Sequence, residues 1–412
     1  MSMSPSLFVG IDVSHKHNVV CALDDQAQQV KKMASFPNNL PGTEQLEQWI
    51  VEKMHIAQAE NLIVGTEATS FYDFHVMEHL AQSPLLAHLP PSLFRFNAKM
   101  IRDFKKALRA PHVKNDYRDA FAIAMRLRVG DLPAAFRPQL EHLPLQRLTR
   151  FRAHTAKSLA REKNYFLSQL FLKFSAYTQI KPFSDPFGAT SQAILAEYLS
   201  TDELMAMPIE DLLEFIIKKG RNRFPDPQEV VEKLKKVARE SYRIRPALAQ
   251  SVHLVLTLSY KNIRTLTSTI KELDEAIAKE LEGFTTTLKT IPGIGPVYAA
   301  GILAEIGNID YFPGHPKLAK YAGLTWTEHQ SGDFRAEETR IIKAANAYLR
   351  YYLVEAANLV RLHDPTFRAF YQRKHQETLK HKHKRALVLT ARKLVRVIFA
   401  MEKNGTIYRP RA

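Results

Sequence analysis

The sequence predicts an α/β domain over residues 1–135, a helical, coiled-coil-like linker over 136–287 and a mostly helical unit over 288–412. Three observations carry this. The N-terminal third alternates short apolar runs with amphipathic segments, the pattern of mixed α/β structure. From about Leu140 the apolar residues fall into long stripes instead. From Leu288, glycine-punctuated and irregular polar stretches separate shorter helical ones.

Taken in order, Phe8 to Val13, Val19 to Leu23 and a weaker run from Val30 to Phe36 read as three consecutive strands, with Asp24 and Asp25 marking a turn between two of them. Thr43 is a good N-cap for a helix through Leu46, Trp49, Ile50 and Met54, and "NLIVGTEAT" then reads as a buried strand. A helix from Phe71 to Leu80 and a strand from Leu93 to Phe96 follow. After Val113, "KNDYRDAFAIAMRL" predicts a helix with Ala120, Ile123, Ala124 and Leu127 on its apolar face. In the middle region Leu148, Thr155, Leu159, Phe166 and Leu170 form one stripe. Leu256, Ile263, Ile270 and Ile277, with Leu266 and Leu273 between them, form a cleaner 3,4 repeat. Periodicity does not identify the partner of that repeat, so a hairpin within the chain and a dimer seam both remain open.

Length fits two or three domains at roughly 100 to 200 residues each. Hydrophobic residues make up 45% and charged residues 24% of the 412, which excludes wholesale disorder. The 58 Lys and Arg against 42 Asp and Glu give a net charge of +16, pointing to a polyanionic partner such as nucleic acid. No run is apolar and long enough to span a membrane, and the N-terminus lacks the regions of a signal peptide. Cys21 is the single cysteine, so no intramolecular disulfide forms, and a reducing cytosol fits best.

Four carboxylates stand out by position. Asp12 lies inside the first strand, Glu67 ends the fourth, and Asp116 and Asp119 are three apart on one face of a helix. Burying a carboxylate is costly unless it is paired or bound to a cation. Converging acids repel one another, so a divalent ion is the natural compensation, and oxygen ligands alone favour Mg²⁺ or Mn²⁺. Two such ions can activate an attacking oxygen and stabilise a leaving one in phosphodiester cleavage. Each acid also has an ordinary explanation, since Asp116 and Asp119 could pair with Lys114 and Arg118. The joint arrangement is nevertheless that of a ribonuclease-H-like nuclease core.

Gly293 and Gly295 in "IPGIGP" permit a tight turn before an apolar helix, whose exposed amides suit a backbone phosphate in the manner of a helix-hairpin-helix element. Arg95, Lys99, Arg102, Lys105, Lys106 and Arg109 precede the paired acids. Arg368 to Arg396 holds ten Lys or Arg against Glu377 alone, interleaved with Phe370, Tyr371, His375 and His381. Lys105, Lys106, Arg109, Lys114, Lys343, Arg350, Lys382, Lys384 and Arg385 are therefore candidate nucleic-acid contacts, with the aromatic rings able to stack on bases.

The ordered set "FVGIDVSHKHNVVCALD", "VGTEATSFYDF", "VKNDYRDAFAIA", "IPGIGPVYAAGILAEIG", "YAGLTWTEHQSGDF" and "IKAANAYLRYYLVEAAN" resembles the DEDD transposases of the insertion-sequence one-ten family, related to Piv-type DNA invertases. The resemblance implies a RuvC-like N-terminal domain whose metal-binding tetrad is Asp12, Glu67, Asp116 and Asp119. It further implies a C-terminal transposase domain whose "SG" loop carries a nucleophilic serine, here Ser331, and activity as a dimer or tetramer. It implies double-stranded DNA as substrate, a structured guide RNA as partner and the bacterial cytosol as location. One departure is Ala345, where such proteins commonly carry glycine before the asparagine. The expected function is therefore a metal-dependent DNA recombinase. The alternatives are a structure-specific endonuclease using water as nucleophile and a nucleic-acid-binding protein with a degenerate nuclease core.

Overall fold

The computed structural model describes residues 4–68, 71–108, 116–130, 132, 135–136, 140–326, 330–331, 334–335 and 345–410. The chain divides into two compact units, one running to Leu140 and the other taking up the chain from Glu141.

The first unit is built on a five-stranded sheet of β1 (Ser6–Val13), β2 (His17–Leu23), β3 (Ala34–Pro37), β4 (Asn61–Glu67) and β5 (Ser92–Phe96), in the order β3-β2-β1-β4-β5. β1 pairs antiparallel with β2 and parallel with β4, and β4 pairs parallel with β5. The parallel connections are made by α1 (Leu40–Ala57) and α2 (Phe74–Gln82). Asn39 starts α1 by accepting from the Gly42 amide at 2.9 Å, four residues ahead of the Thr43 that sequence suggests. The third strand is also shorter than its apolar run, because Lys31 takes a φ of +62° and interrupts it, leaving the Leu23 to Gln29 bridge outside the strand.

Alternation along β1 assigns its two faces. Leu7, Val9, Ile11 and Val13 join Leu46 and Ile50 of α1 and Val76, Met77 and Leu80 of α2 in one core. On the other face, Phe8 joins Phe94, Phe96, Ile101, Ala120, Ile123, Ala124 and Leu127. The last four belong to α4 (Asp116–Val129), as its apolar spacing predicts. Ile101 belongs to α3 (Ala98–Ala107), a helix absent from the sequence reading. Ile101 is its single buried residue, on one face with the partly buried Phe104 and set among four basic residues, and its start is set by Asn97 accepting from the Lys99 amide.

In the second unit, α5 (Leu143–Lys173) and α11 (Pro246–Leu281) run antiparallel. The order is fixed by Arg152 to Asp274, Glu162 to Ser259 and Lys173 to His253. The regular stripe on α11 is largely turned into its own chain, with Leu256, Ile263, Leu273 and Ile277 buried. Five helices lie between them: α6 (Tyr177–Ile180), α7 (Ala189–Glu197), α8 (Thr201–Ala206), α9 (Ile209–Gly220) and α10 (Pro227–Glu240). They close a core with Phe166, Leu170, Val252, Leu256 and Ile263 at one end of the hairpin. At the other end, Leu145, Ala153, Ile277 and Leu281 join α12 (Pro296–Ile306), α13 (His315–Tyr321), α14 (Ala347–His363), α15 (Pro365–Glu377) and α16 (Lys382–Asn404) in a second core. Two short strands, β6 (Gln330–Ser331) and β7 (Phe334–Arg335), pair between α13 and α14. No helix among the described residues is long and apolar enough to cross a membrane.

Candidate functional site

The site begins with Gly10. A Cβ there would lie 2.2 Å from the Ala120 carbonyl oxygen and 2.4 Å from the Ala124 amide nitrogen, so α4 rests directly on the backbone of β1. Asp12 is two residues further along β1 and so faces the same way. Asp116 lies one turn before Ala120, and Asp119 immediately before it, which brings the acidic first turn of α4 to the end of β1. β4 supplies the fourth acid. Ile11 pairs with Thr66, so the next residues on these parallel strands, Asp12 and Glu67, stand side by side at one end of the sheet.

The electrostatics agree. Burial raises the Asp12 carboxyl from 3.8 to about 6, with further upward contributions from Asp119, Asp116 and Glu67, while Lys105 pulls it down. Burial also raises Glu67, with Lys105 opposing and Asp119 adding to the rise. Lys105 Nζ stands 2.5 Å from Asp119 Oδ1. Among the described residues, no three His, Cys, Asp or Glu side chains are gathered closely enough to hold one ion as placed. The two observations describe different ranges, because repulsion acts over several ångströms while ligation needs about 2 to 2.5 Å. The backbone brings the four acids together; sharing an ion would take side-chain rotation, for which the exposed Asp116 and partly exposed Asp119 have room. In chemistry the all-oxygen donor set fits a hard divalent cation.

Of the other predicted contacts, Lys106 is exposed on α3, whereas Arg109, Lys114 and Lys343 lie outside the described residues. Ser331 belongs to the second unit, where its backbone pairs with Phe334. Gly293 has a structural duty: its φ is +92°, and a Cβ would lie 2.9 Å from the backbone of Leu359 and Val360 on α14. Gly295, at the start of α12, has no atom within 4 Å of that position. Arg350 is partly buried on α14, and Lys382 and Lys384 are exposed in the first turn of α16, beside a less exposed Arg385. The aromatic rings of the basic region are already covered by cations of this chain. Arg361 lies 4.4 Å from the centre of Tyr371, and Lys393 lies 4.7 Å from that of Phe370.

A polar cluster in the second unit escapes the sequence reading. Glu305, 3% exposed on α12, accepts from Arg150 Nε at 2.6 Å and from Asn346 Nδ2 at 2.7 Å. Asn346 also donates to the Tyr321 hydroxyl and caps α14 through the amides of Tyr348 and Leu349. The available signal is a lone acid inside the apolar "AAGILAEIG", of the same kind as Asp12 in its strand.

A sheet with antiparallel first strands and parallel later ones, with acids at one end of it, fits the class of DEDD nuclease-like domains. The family model for such domains, described as a transposase, matches residues 9–174, which include all four acids. A second model, described as "Transposase IS116/IS110/IS902 family", matches residues 285–372, which include Ser331, Glu305 and Asn346. The chain belongs to the IS116/IS110/IS902 transposase family. It is 26% identical over 300 residues to the insertion element IS116 uncharacterized 44.8 kDa protein of Streptomyces clavuligerus, covering 72% of this chain and 73% of that protein. It is 32% identical over 166 residues to the insertion element IS110 uncharacterized 43.6 kDa protein of Streptomyces coelicolor, covering 40% and 38% respectively. The pilin gene-inverting protein of Moraxella bovis is 32% identical over 152 residues, covering 35% of this chain and 46% of that protein.

Proposed function

We propose that the chain is the recombinase of an insertion sequence, cutting and rejoining double-stranded DNA with Ser331 as nucleophile and the four acids as its divalent-metal site. As a member of its family it is an enzyme acting on DNA. The observation that carries the finer reading is the gathering of Asp12, Glu67, Asp116 and Asp119 by the contact of Gly10 with α4. The sheet order β3-β2-β1-β4-β5 supports a ribonuclease-H-like, RuvC-type core. When bound, Mg²⁺ or Mn²⁺ supplies charge stabilisation at the phosphate and acidifies an attacking oxygen. The four acids would hold it. The Ser331 oxygen attacks phosphorus, its proton passes through solvent to the departing sugar oxygen, and the bond to that oxygen breaks to give a phosphoserine link and a free sugar hydroxyl.

The division of the second unit near residue 287, the helix-hairpin-helix role of Gly293 and Gly295, and assembly as a dimer or tetramer belong to the same reading. So do a guide RNA of the element and the contacts assigned to Lys106, Arg109, Lys114, Lys343, Arg350, Lys382, Lys384 and Arg385. Net charge of +16 favours such partners. Mixing the protein with its element's DNA and adjacent non-coding RNA, then trapping protein–DNA adducts, tests the proposal. A covalent adduct is expected that disappears in Ser331→Ala. Recombination surviving in Ser331→Ala or Asp12→Ala overturns the mechanism, and cleavage without any adduct points to attack by water.

A further inference from the structure

Lys105 sits at the acid cluster for structural reasons that the motif does not supply. α3 is anchored to the rest of its unit by Ile101, fully buried, and by Phe104, whose ring lies 5.6 Å from the Arg126 guanidinium of α4. With the helix so fixed, Lys105 in its last turn reaches Asp119 at 2.5 Å. The two side chains are 30% and 23% exposed, whereas Lys99 and Asp103 on the outer side of α3 pair at 3.4 Å with 68% and 53% exposure. The inner pair is thus less screened and holds its geometry better. Its reach extends past Asp119, since the Lys105 charge also acts on Asp12 and Glu67. Arg102, one turn earlier, acts on Glu67 as well.

We infer that Lys105 is a built-in counter-cation of the acid cluster, competing with a divalent ion for Asp119 and so setting how tightly the site takes that ion. This rests on reading the four acids as a divalent-metal site. An ammonium within hydrogen-bond reach of one ligand carboxylate weakens ion binding in two ways, by occupying the ligand and by repelling the ion. In the metal-free protein its charge offsets part of the acids' mutual repulsion. Lys105 is therefore a positioning residue that acts through Asp119. An interhelical ion pair with no such role would leave metal affinity untouched.

Titration of the full-length protein with Mn²⁺ alone, followed by calorimetry or by the paramagnetic signal of the free ion, separates the possibilities. Lys105→Met is expected to raise Mn²⁺ affinity roughly tenfold. Lys105→Arg, which keeps the charge, and Lys106→Met, on the exposed neighbour, are expected to stay near the wild type. If Lys105→Met does not fold, Lys105→Gln carries the same comparison, being able to donate to Asp119 without a charge. Unchanged or weaker Mn²⁺ binding in the neutral variants overturns the inference while leaving the metal site intact. Failure of the wild type to bind Mn²⁺, or binding unaffected by Asp12→Asn, overturns the underlying reading and the inference with it.

Discussion

Gly10 and Ala120 meet backbone to backbone, leaving 2.2 Å between the Ala120 carbonyl oxygen and the place where a Cβ on Gly10 would be. Gly10→Ala must therefore push α4, and the acids on its first turn, away from β1. The expected loss is about 1 to 3 kcal/mol of stability, together with loss of the thermal stabilisation by Mn²⁺. Gly65→Ala is the comparison. A Cβ there meets side-chain atoms alone, Leu127 at 2.9 Å and Phe96 at 3.0 Å, and no backbone, so thermal denaturation should show a milder loss and a retained response to Mn²⁺.

Asp12 makes metal-free stability depend on pH in an unusual direction for an aspartate. Its carboxyl is raised from 3.8 to about 6 in the folded chain, so the folded state holds the proton more tightly. That contribution is fully present below about pH 4 and is lost as pH rises through 6. With about 1.4 kcal/mol per tenfold change in proton affinity, the ceiling on the loss is about 3 kcal/mol. Asp12→Asn is expected to stabilise the metal-free protein at pH 7 and to leave it nearly unchanged at pH 4. Melting curves at the two values check this.

Glu305 neutralises Arg150 and holds Asn346 at the start of α14. Glu305→Ala leaves a half-buried guanidinium without its carboxylate and is expected to cost about 3 to 5 kcal/mol. Asn346→Ala removes a helix cap and one partner of that carboxylate, an expected loss of about 1 to 2 kcal/mol. Urea denaturation of each variant measures both.

Lys173 is 1% exposed and donates to the Leu195 carbonyl at 2.6 Å, and burial lowers its ammonium from 10.5 to about 8. The folded state binds that proton less tightly than the unfolded chain. The cost is full below about pH 8 and fades as pH rises towards 10.5, to a ceiling of about 3 kcal/mol. Lys173→Met is expected to stabilise the protein at pH 7 and to lose its advantage by pH 10, as denaturation at the two values reads directly.

The strands around Asp12 are legible in sequence because period-two alternation and short polar turns coincide there. The four acids are legible because a charge inside an apolar run demands a reason. α3 is not, because its apolar Ile101 and Phe104 are set among Lys99, Arg102, Lys105 and Lys106, and the segment reads as a basic patch before it reads as a helix. Nor is the role of Lys105, which depends on how α3 meets α4 and not on any local spacing. The regular repeat on α11 shows the opposite limit: it announces a partner helix, but only the fold identifies α5 of the same chain. Glu305 carried a readable signal, yet its partners Arg150 and Asn346 lie 155 and 41 residues away.

The hairpin of α5 and α11 keeps two cores apart. The two family models leave residues 175–284 unmatched, a stretch that takes in α6 to α10 and the return helix α11. The core that α6 to α10 close is confined to one end of the hairpin, while α12 with Glu305 and α14 with its cap Asn346 belong to the core at the other. Changes in α6 to α10 are absorbed locally and leave the Glu305 cluster undisturbed. The helices α6 to α10 can therefore be altered without touching the residues packed around Glu305.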